Sequence, residues 1–245
     1  MNRPTLVAAA LLSVFLAPAP ARAQQAFPFL GTDELKRMLD AKEDFVLADA
    51  LSPIEFAEES IAGSVNVPYE LLRSGKVKLP ADKAKRVVFY CKGPKCTRSG
   101  KAAGLAAKMG YTKVEIYNEG LPEWLKRGYP ARIQKIYPAI EIPTVAAGEL
   151  KAMLDAKADV FVLDIRDESD TRAGVVPGSR NVDLEVLDAR LAEVPKGKKV
   201  VLVDLHGKQT QVAGRFLAWK GYRDVVRLDG GFVGGWIKAG MPISK

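Results

Sequence analysis

Cysteine and histidine are the scarce residues of this 245-residue chain, which carries two Cys and a single His. A metal centre built on clustered His and Cys therefore lacks its usual ligands. An extracellular domain stapled by disulfides would carry more cysteines, at wider spacings. Cys91 and Cys96 lie so close that a bond between them would close only a tiny loop and constrain the unfolded chain little. The pair points to chemistry rather than stapling. The sole histidine, His206, sits in a loop far along the chain, which argues against a Cys/His dyad. Pro and Gly, at 15 and 21 residues, are too few for a disordered or fibrous chain.

Charge of one sign is also never gathered into blocks. The net charge of +8 is spread along the chain, with no aromatic-interleaved basic stripe and no nucleic-acid motif. That excludes nucleic acid as the expected partner and leaves a solvated basic surface whose mild field draws small anions. The apolar run from Leu6 to Ala17 is shorter than the roughly 20 residues needed to cross a bilayer. Asn2-Arg3 precedes it, Pro18 and Pro20 break it, and Ala21-Arg22-Ala23 offers a small-x-small cleavage site. Residues 1–23 are thus expected to be a secretory signal peptide, cut after Ala23. Loss of Arg3 and Arg22 takes the charge from +8 to +6. No Cys lies near the cut to carry a lipid, so the mature chain is expected in the periplasm or outside the cell, free of the membrane.

What is present is a duplication. Glu34 to Asp49 returns as Glu149 to Asp164, Ser64 to Val67 as Ser179 to Val182, Gly110-Tyr111 as Gly221-Tyr222, and Trp124 as Trp236. Two copies of this length are domains rather than solenoid units. The expected division is domain 1 over 27–130, a linker over 131–144 holding Pro138 and Pro143, and domain 2 over 145–245. Helix and strand signals alternate within each copy. Thr32 is expected to cap a helix running to about Asp40, and Ser52-Pro53-Ile54-Glu55 is a capping box with Pro at the first helical position. Arg86 to Tyr90 reads as a strand buried on both faces and Arg98 to Met109 as a helix. Val160 to Leu163, Val200 to Val203, Thr210 to Trp219 and Val225 to Leu228 repeat the pattern. The fold class is α/β, each domain a parallel sheet flanked by helices.

Ligands of such sheets bind beyond the carboxyl ends of strands, where loops meet helix N-termini. Cys91 is at that point, followed by Lys92-Gly93-Pro94-Lys95-Cys96-Thr97 and then Arg98. Inward N–H groups, the helix dipole and three cations are expected to lower the Cys91 thiol below its free pKa of roughly 8.5. Cys91 is the candidate nucleophile. Lys92, Gly93, Lys95, Thr97 and Arg98 are the candidate anion-binding residues. Cys96 is either a resolving thiol or simply part of the loop lining. Asp49 and Asp164 end matched strands and are expected to bond nearby backbone. Trp124 and Trp236 read as core anchors.

The first copy resembles a rhodanese domain through Leu47 to Asp49, Glu55-Phe56, Ile61 to Pro68, Val87 to Cys91, Gly110-Tyr111 and Gly120 to Trp124. The second resembles it through Leu163 to Arg166, Pro177 to Val182, Leu228 to Gly231 and Trp236. The resemblance implies that Cys91 takes a sulfane sulfur as a persulfide and passes it to a thiol or cyanide, with no cofactor. The implied partners are a small anionic sulfur donor such as thiosulfate and the acceptor; the Cys91/Cys96 pair adds a thiol-reductant protein if the two thiols cycle.

Two departures qualify the likeness. Asp204 stands where the second copy should have its Cys, so that copy is expected to be catalytically inactive and structural, the reverse of many tandem rhodaneses. The spacing from Cys91 to Asp204 is 113 residues and from Gly110 to Gly221 is 111, so the first loop is two residues longer. A longer loop makes a wider cradle, as in phosphatases of this fold. Three alternatives to sulfur transfer therefore stand: a thiol redox protein using Cys91 and Cys96, an oxyanion phosphatase or reductase, and a non-catalytic binding module.

Overall fold

The computed structural model describes residues 27–245; the expected signal peptide lies outside them. Each repeat is a five-stranded, all-parallel sheet with the same strand order. In the first, Phe29–Leu30 pairs with Lys113–Tyr117, then come Arg86–Tyr90, Phe45–Asp49 and Val65–Asn66. In the second, Thr144–Val145 pairs with Val225–Leu228, followed by Lys199–Val203, Val160–Asp164 and Arg180–Asn181. Val87 to Tyr90 and Val200 to Val203 are fully buried, as central strands covered on both faces must be. Separate apolar clusters fill the two faces of each sheet, with Phe89 and Ala102 on one side of the first and Tyr90 and Trp124 on the other.

Local chemistry explains several boundaries. The capping box forms in full: Ser52 Oγ accepts the Glu55 N–H at 3.2 Å, and Glu55 Oε2 accepts the Ser52 N–H at 3.2 Å. Asp167 caps the matching helix Glu168–Thr171 by accepting the Asp170 N–H. Thr32 differs from its expected role. Gly31 is the cap residue of helix Thr32–Asp40, and the Thr32 hydroxyl instead bonds Tyr117 Oη at 2.9 Å and the Glu119 carboxylate. Trp124 and Trp236 are buried and donate from Nε1 to the carbonyls of Pro130 and Pro242, at 2.9 and 2.7 Å.

The segment over 131–144 holds no helix, yet it is tied down along its length. Ala131–Arg132 pairs antiparallel with Ser60–Ile61, and Tyr137 and Ile142 are buried in the second repeat's core beside Ile54 of the first. Arg215 bridges Glu58 at 2.7 Å, and Glu185 Oε2 accepts the Glu70 N–H at 2.7 Å, so polar contacts also cross between the repeats.

Candidate active site

Cys91 follows strand Arg86–Tyr90 directly, and helix Arg98–Lys108 begins after the loop. The turn that delivers the loop needs a residue without a side chain opposite it. Gly120, at φ +70°, packs so tightly that an added Cβ would run into the Cys91 carbonyl and the Gly93 N–H. Leu121 donates its N–H to the Cys91 carbonyl at 2.9 Å, tying the strand end to helix Gly120–Lys126.

Cys91 is 2% exposed, whereas Cys96 is partly exposed and lines a cleft of about 510 Å³. Cys91 Sγ lies 3.4 Å from the Cys96 carbonyl and 3.2 Å from Ser99 Oγ. The two thiols titrate as one pair. The hydrogen bond to Cys96 and burial push the Cys91 thiol well up. The same hydrogen bond, with N–H groups of Arg98 and Lys92, outweighs burial and holds Cys96 down to about 6. The expected lowering of Cys91 is thus not met: the loop stabilises one thiolate in the pair, and its N–H groups act on the Cys96 side.

The expected cationic cradle is also partly neutralised. Glu55, its side chain 1% exposed, pairs with Arg98 Nη1 at 2.6 Å and Lys92 Nζ at 3.0 Å. Burial would raise this carboxyl, but Lys92, Arg98 and the Ser52 hydroxyl outweigh it and hold it at about 2. The sequence marks Glu55 as a capping residue and as part of the rhodanese-like Glu55-Phe56; its pairing with Lys92 and Arg98 needs the strand-end loop folded over it. Gly93 is buried at φ +99°, and Lys95 and Thr97 are exposed on the cleft lining. Lys95 has no ion pair or side-chain hydrogen bond among the described residues.

The far wall of the cleft comes from the second repeat. Arg166, Asp167, Asp170, Asp204, His206 and Lys208 face the Cys96 loop. The Gln209 amide, with its oxygen turned to the guanidinium, accepts from Arg98 Nη2 at 2.5 Å and Nη1 at 2.8 Å. The second copy reads from sequence as structural; that its Asp204 loop closes over the first depends on how the repeats pack together. No group of three or more His, Cys, Asp or Glu side chains that could hold a metal occurs among the described residues.

At the matched strand ends the two repeats diverge. Asp49 Oδ1 accepts the Leu51 N–H at 2.8 Å and Asp164 Oδ1 the Arg166 N–H at 3.1 Å. Burial pushes Asp49 up to about 7, with the neighbouring Tyr90 hydroxyl and the Leu51 N–H only partly offsetting it.

Comparison with known proteins agrees with this architecture. The rhodanese-like domain profile matches residues 31–127 and 146–238. A sulfurtransferase of Allochromatium vinosum is 31% identical over 85 residues, covering 35% of this chain and 78% of that protein. The thiosulfate sulfurtransferase GlpE of Pseudoalteromonas translucida is 32% identical over 88 residues, covering 36% and 83%. A solved thiosulfate sulfurtransferase from Pseudomonas aeruginosa, 23% identical, aligns over 89% of this chain and 43% of its own, with a TM-score of 0.43. With both repeats matched, the chain belongs to the rhodanese-like family, as two such domains in tandem.

Proposed function

We propose that the chain is a sulfurtransferase whose first repeat carries a sulfane sulfur on Cys91. The observation that supports this most is geometric: Cys91 follows the central strand, its Sγ 3.2 Å from Ser99 Oγ and 3.4 Å from the Cys96 carbonyl, in a loop whose second thiol lines an open cleft. Transfer of the Cys91 proton to the Cys96 thiolate leaves Cys91 as the nucleophile. Its sulfur attacks the outer sulfur of thiosulfate, the S–S bond of the donor breaks, and sulfite departs with the electron pair. The resulting Cys91 persulfide passes its terminal sulfur to cyanide or to a thiolate. Ser99, whose N–H and hydroxyl both reach Cys91, steadies the charged forms. Similar proteins named as thiosulfate sulfurtransferases make thiosulfate the first donor to test.

Cys96 gives the site a second outlet. Attack of its thiolate on Cys91 Sγ expels hydrosulfide and leaves a Cys91–Cys96 disulfide, which a thiol reductant must open. The proposal places the mature chain in the periplasm or outside the cell, where an N-terminus at Gln24 is the check. Its second repeat, with Asp204 in place of Cys, carries no sulfur.

A specific observation favours one variant of this reading: Cys96, not Cys91, lines the cleft, and the loop N–H groups lower its thiol. Thiosulfate:cyanide turnover separates the two. Cys91→Ser is expected to abolish it and Cys96→Ser to slow it; the opposite pattern makes Cys96 the carrier.

A further inference from the structure

We propose that Asp204 is an internal ligand: its carboxylate permanently fills an anion cradle in the second repeat, and through Gln209 the filled cradle positions Arg98 of the Cys91 loop. Asp204 follows the central strand Lys199–Val203, as Cys91 follows Arg86–Tyr90, and is 1% exposed. Its Oδ1 accepts the Gly207 N–H, and its Oδ2 accepts the N–H groups of Gln209 at 2.5 Å and Thr210 at 3.3 Å. Three backbone donors thus converge on one carboxylate at the start of the 11-residue helix Gln209–Trp219.

The cradle is built for more than the carboxylate uses. Thr210 stands where Ser99 stands in the first repeat, where the Ser99 hydroxyl touches Cys91 Sγ at 3.2 Å. The Thr210 hydroxyl is fully buried and has no partner. Gly231, at φ +64°, closes the cradle as Gly120 does in the first repeat; an added Cβ there would come within 2.7 Å of Asp204 Oδ1. The ligand class that fits this donor set is a small oxyanion or a sulfur anion, and Asp204 supplies its charge from within.

The link to the reactive loop runs through two residues. Asp204 fixes the Gln209 backbone, the Gln209 amide grips the Arg98 guanidinium, and Arg98 holds Glu55 at 2.6 Å. Arg98 is also the first residue of helix Arg98–Lys108, and its N–H points at Cys96. Asp204 is therefore a positioning residue, acting on the thiol pair from the other repeat.

The test uses the full mature chain, with inorganic sulfate as the probe. In Asp204→Ala the three N–H groups lose their acceptor, so calorimetry is expected to show one sulfate site that the wild type lacks. Formation of the Cys91 persulfide from thiosulfate, followed by mass, is expected to slow about tenfold, the weight of one lost charge-assisted contact. Sulfate is expected to restore that rate relative to wild type at the same sulfate concentration. Gln209→Ala, which keeps the cradle filled but cuts the link, is expected to slow persulfide formation equally and to gain nothing from sulfate. The proposal is overturned if Asp204→Ala binds no additional sulfate, if both variants form persulfide at the wild-type rate, or if sulfate leaves the Asp204→Ala rate unchanged. Where Asp204→Ala does not fold, Asp204→Ser takes its place in the binding arm and Gln209→Ala decides the kinetic arm. The kinetic arm rests on the proposed sulfur transfer; if wild type forms no persulfide that reading fails, while sulfate binding still decides the cradle.

Discussion

Arg166 closes on Asp164 through Nη2 at 2.6 Å, with both side chains almost wholly buried. The matching position in the first repeat is Leu51, so Asp49 has no such partner and its Oδ2 is left without a hydrogen bond. The two repeats therefore share a strand end and differ in its charge balance.

Asp49→Asn tests the first consequence. An acid pushed from 3.8 to about 7 holds its proton more tightly when folded. Folding is therefore favoured below about pH 4, and stability is lost as the pH rises to about 7. The loss from this one group is about 4 kcal/mol when complete, at 1.36 kcal/mol per pKa unit. Asn keeps the acceptor for the Leu51 N–H and cannot ionise, so denaturant melts are expected to show the variant more stable than wild type at pH 8 and equal to it near pH 4. A variant no more stable at pH 8 would show that Asp49 is ionised there at little cost.

In the second repeat the same logic runs the other way. Arg166→Leu leaves Asp164 charged and buried, and a loss of about 3–5 kcal/mol is expected in urea unfolding. Adding Asp164→Asn to that variant is expected to recover much of the loss. If the single and double variants were equally unstable, the packing of Arg166 on Phe232, at 3.9 Å from its ring centre, would be the larger contribution.

Glu55 has the opposite sign from Asp49. Its carboxyl is held at about 2 against an ordinary 4.5, so its contribution is present above about pH 4.5 and is lost as the pH falls toward 2. Glu55→Gln is expected to cost about 3 kcal/mol at pH 7 and nothing near pH 2, read from melts across that range. Equal destabilisation at both pH values would assign the effect to the capping box rather than to Lys92 and Arg98.

Cys96, at about 6, is expected to be alkylated by iodoacetamide ahead of Cys91 at pH 7, as peptide mapping will show. Cys91→Ala removes the thiol that donates to it and is expected to slow Cys96 labelling at pH 6. Faster labelling of Cys91 than of Cys96 at pH 7 would return the thiolate to Cys91.

Much of the scaffold was legible because its signals are local. Arg86–Tyr90 and Val225–Leu228 are β-branched runs bounded by turns, and both strands end where their composition changes. The capping box was written in Ser52 and Glu55 themselves. The two-residue edge strands Phe29–Leu30 and Thr144–Val145 were not legible, since only the neighbouring strand makes them strands. The site was legible in position but not in charge. Lys92, Arg98 and the helix start promised a thiolate at Cys91, yet Glu55, 43 positions before Arg98, draws both cations, and the loop turns its N–H groups on Cys96. That the Asp204 loop faces the thiols depends on how Tyr137, Ile142 and Ile54 pack the repeats together, which no single stretch of sequence encodes.

Intact-mass analysis of the reduced protein before and after exposure to thiosulfate reads out a sulfur carried on Cys91. One added sulfur is expected in wild type, mapped to Cys91, retained in Cys96→Ser and absent from Cys91→Ser. No added sulfur in wild type, or an added sulfur that persists in Cys91→Ser, would contradict it.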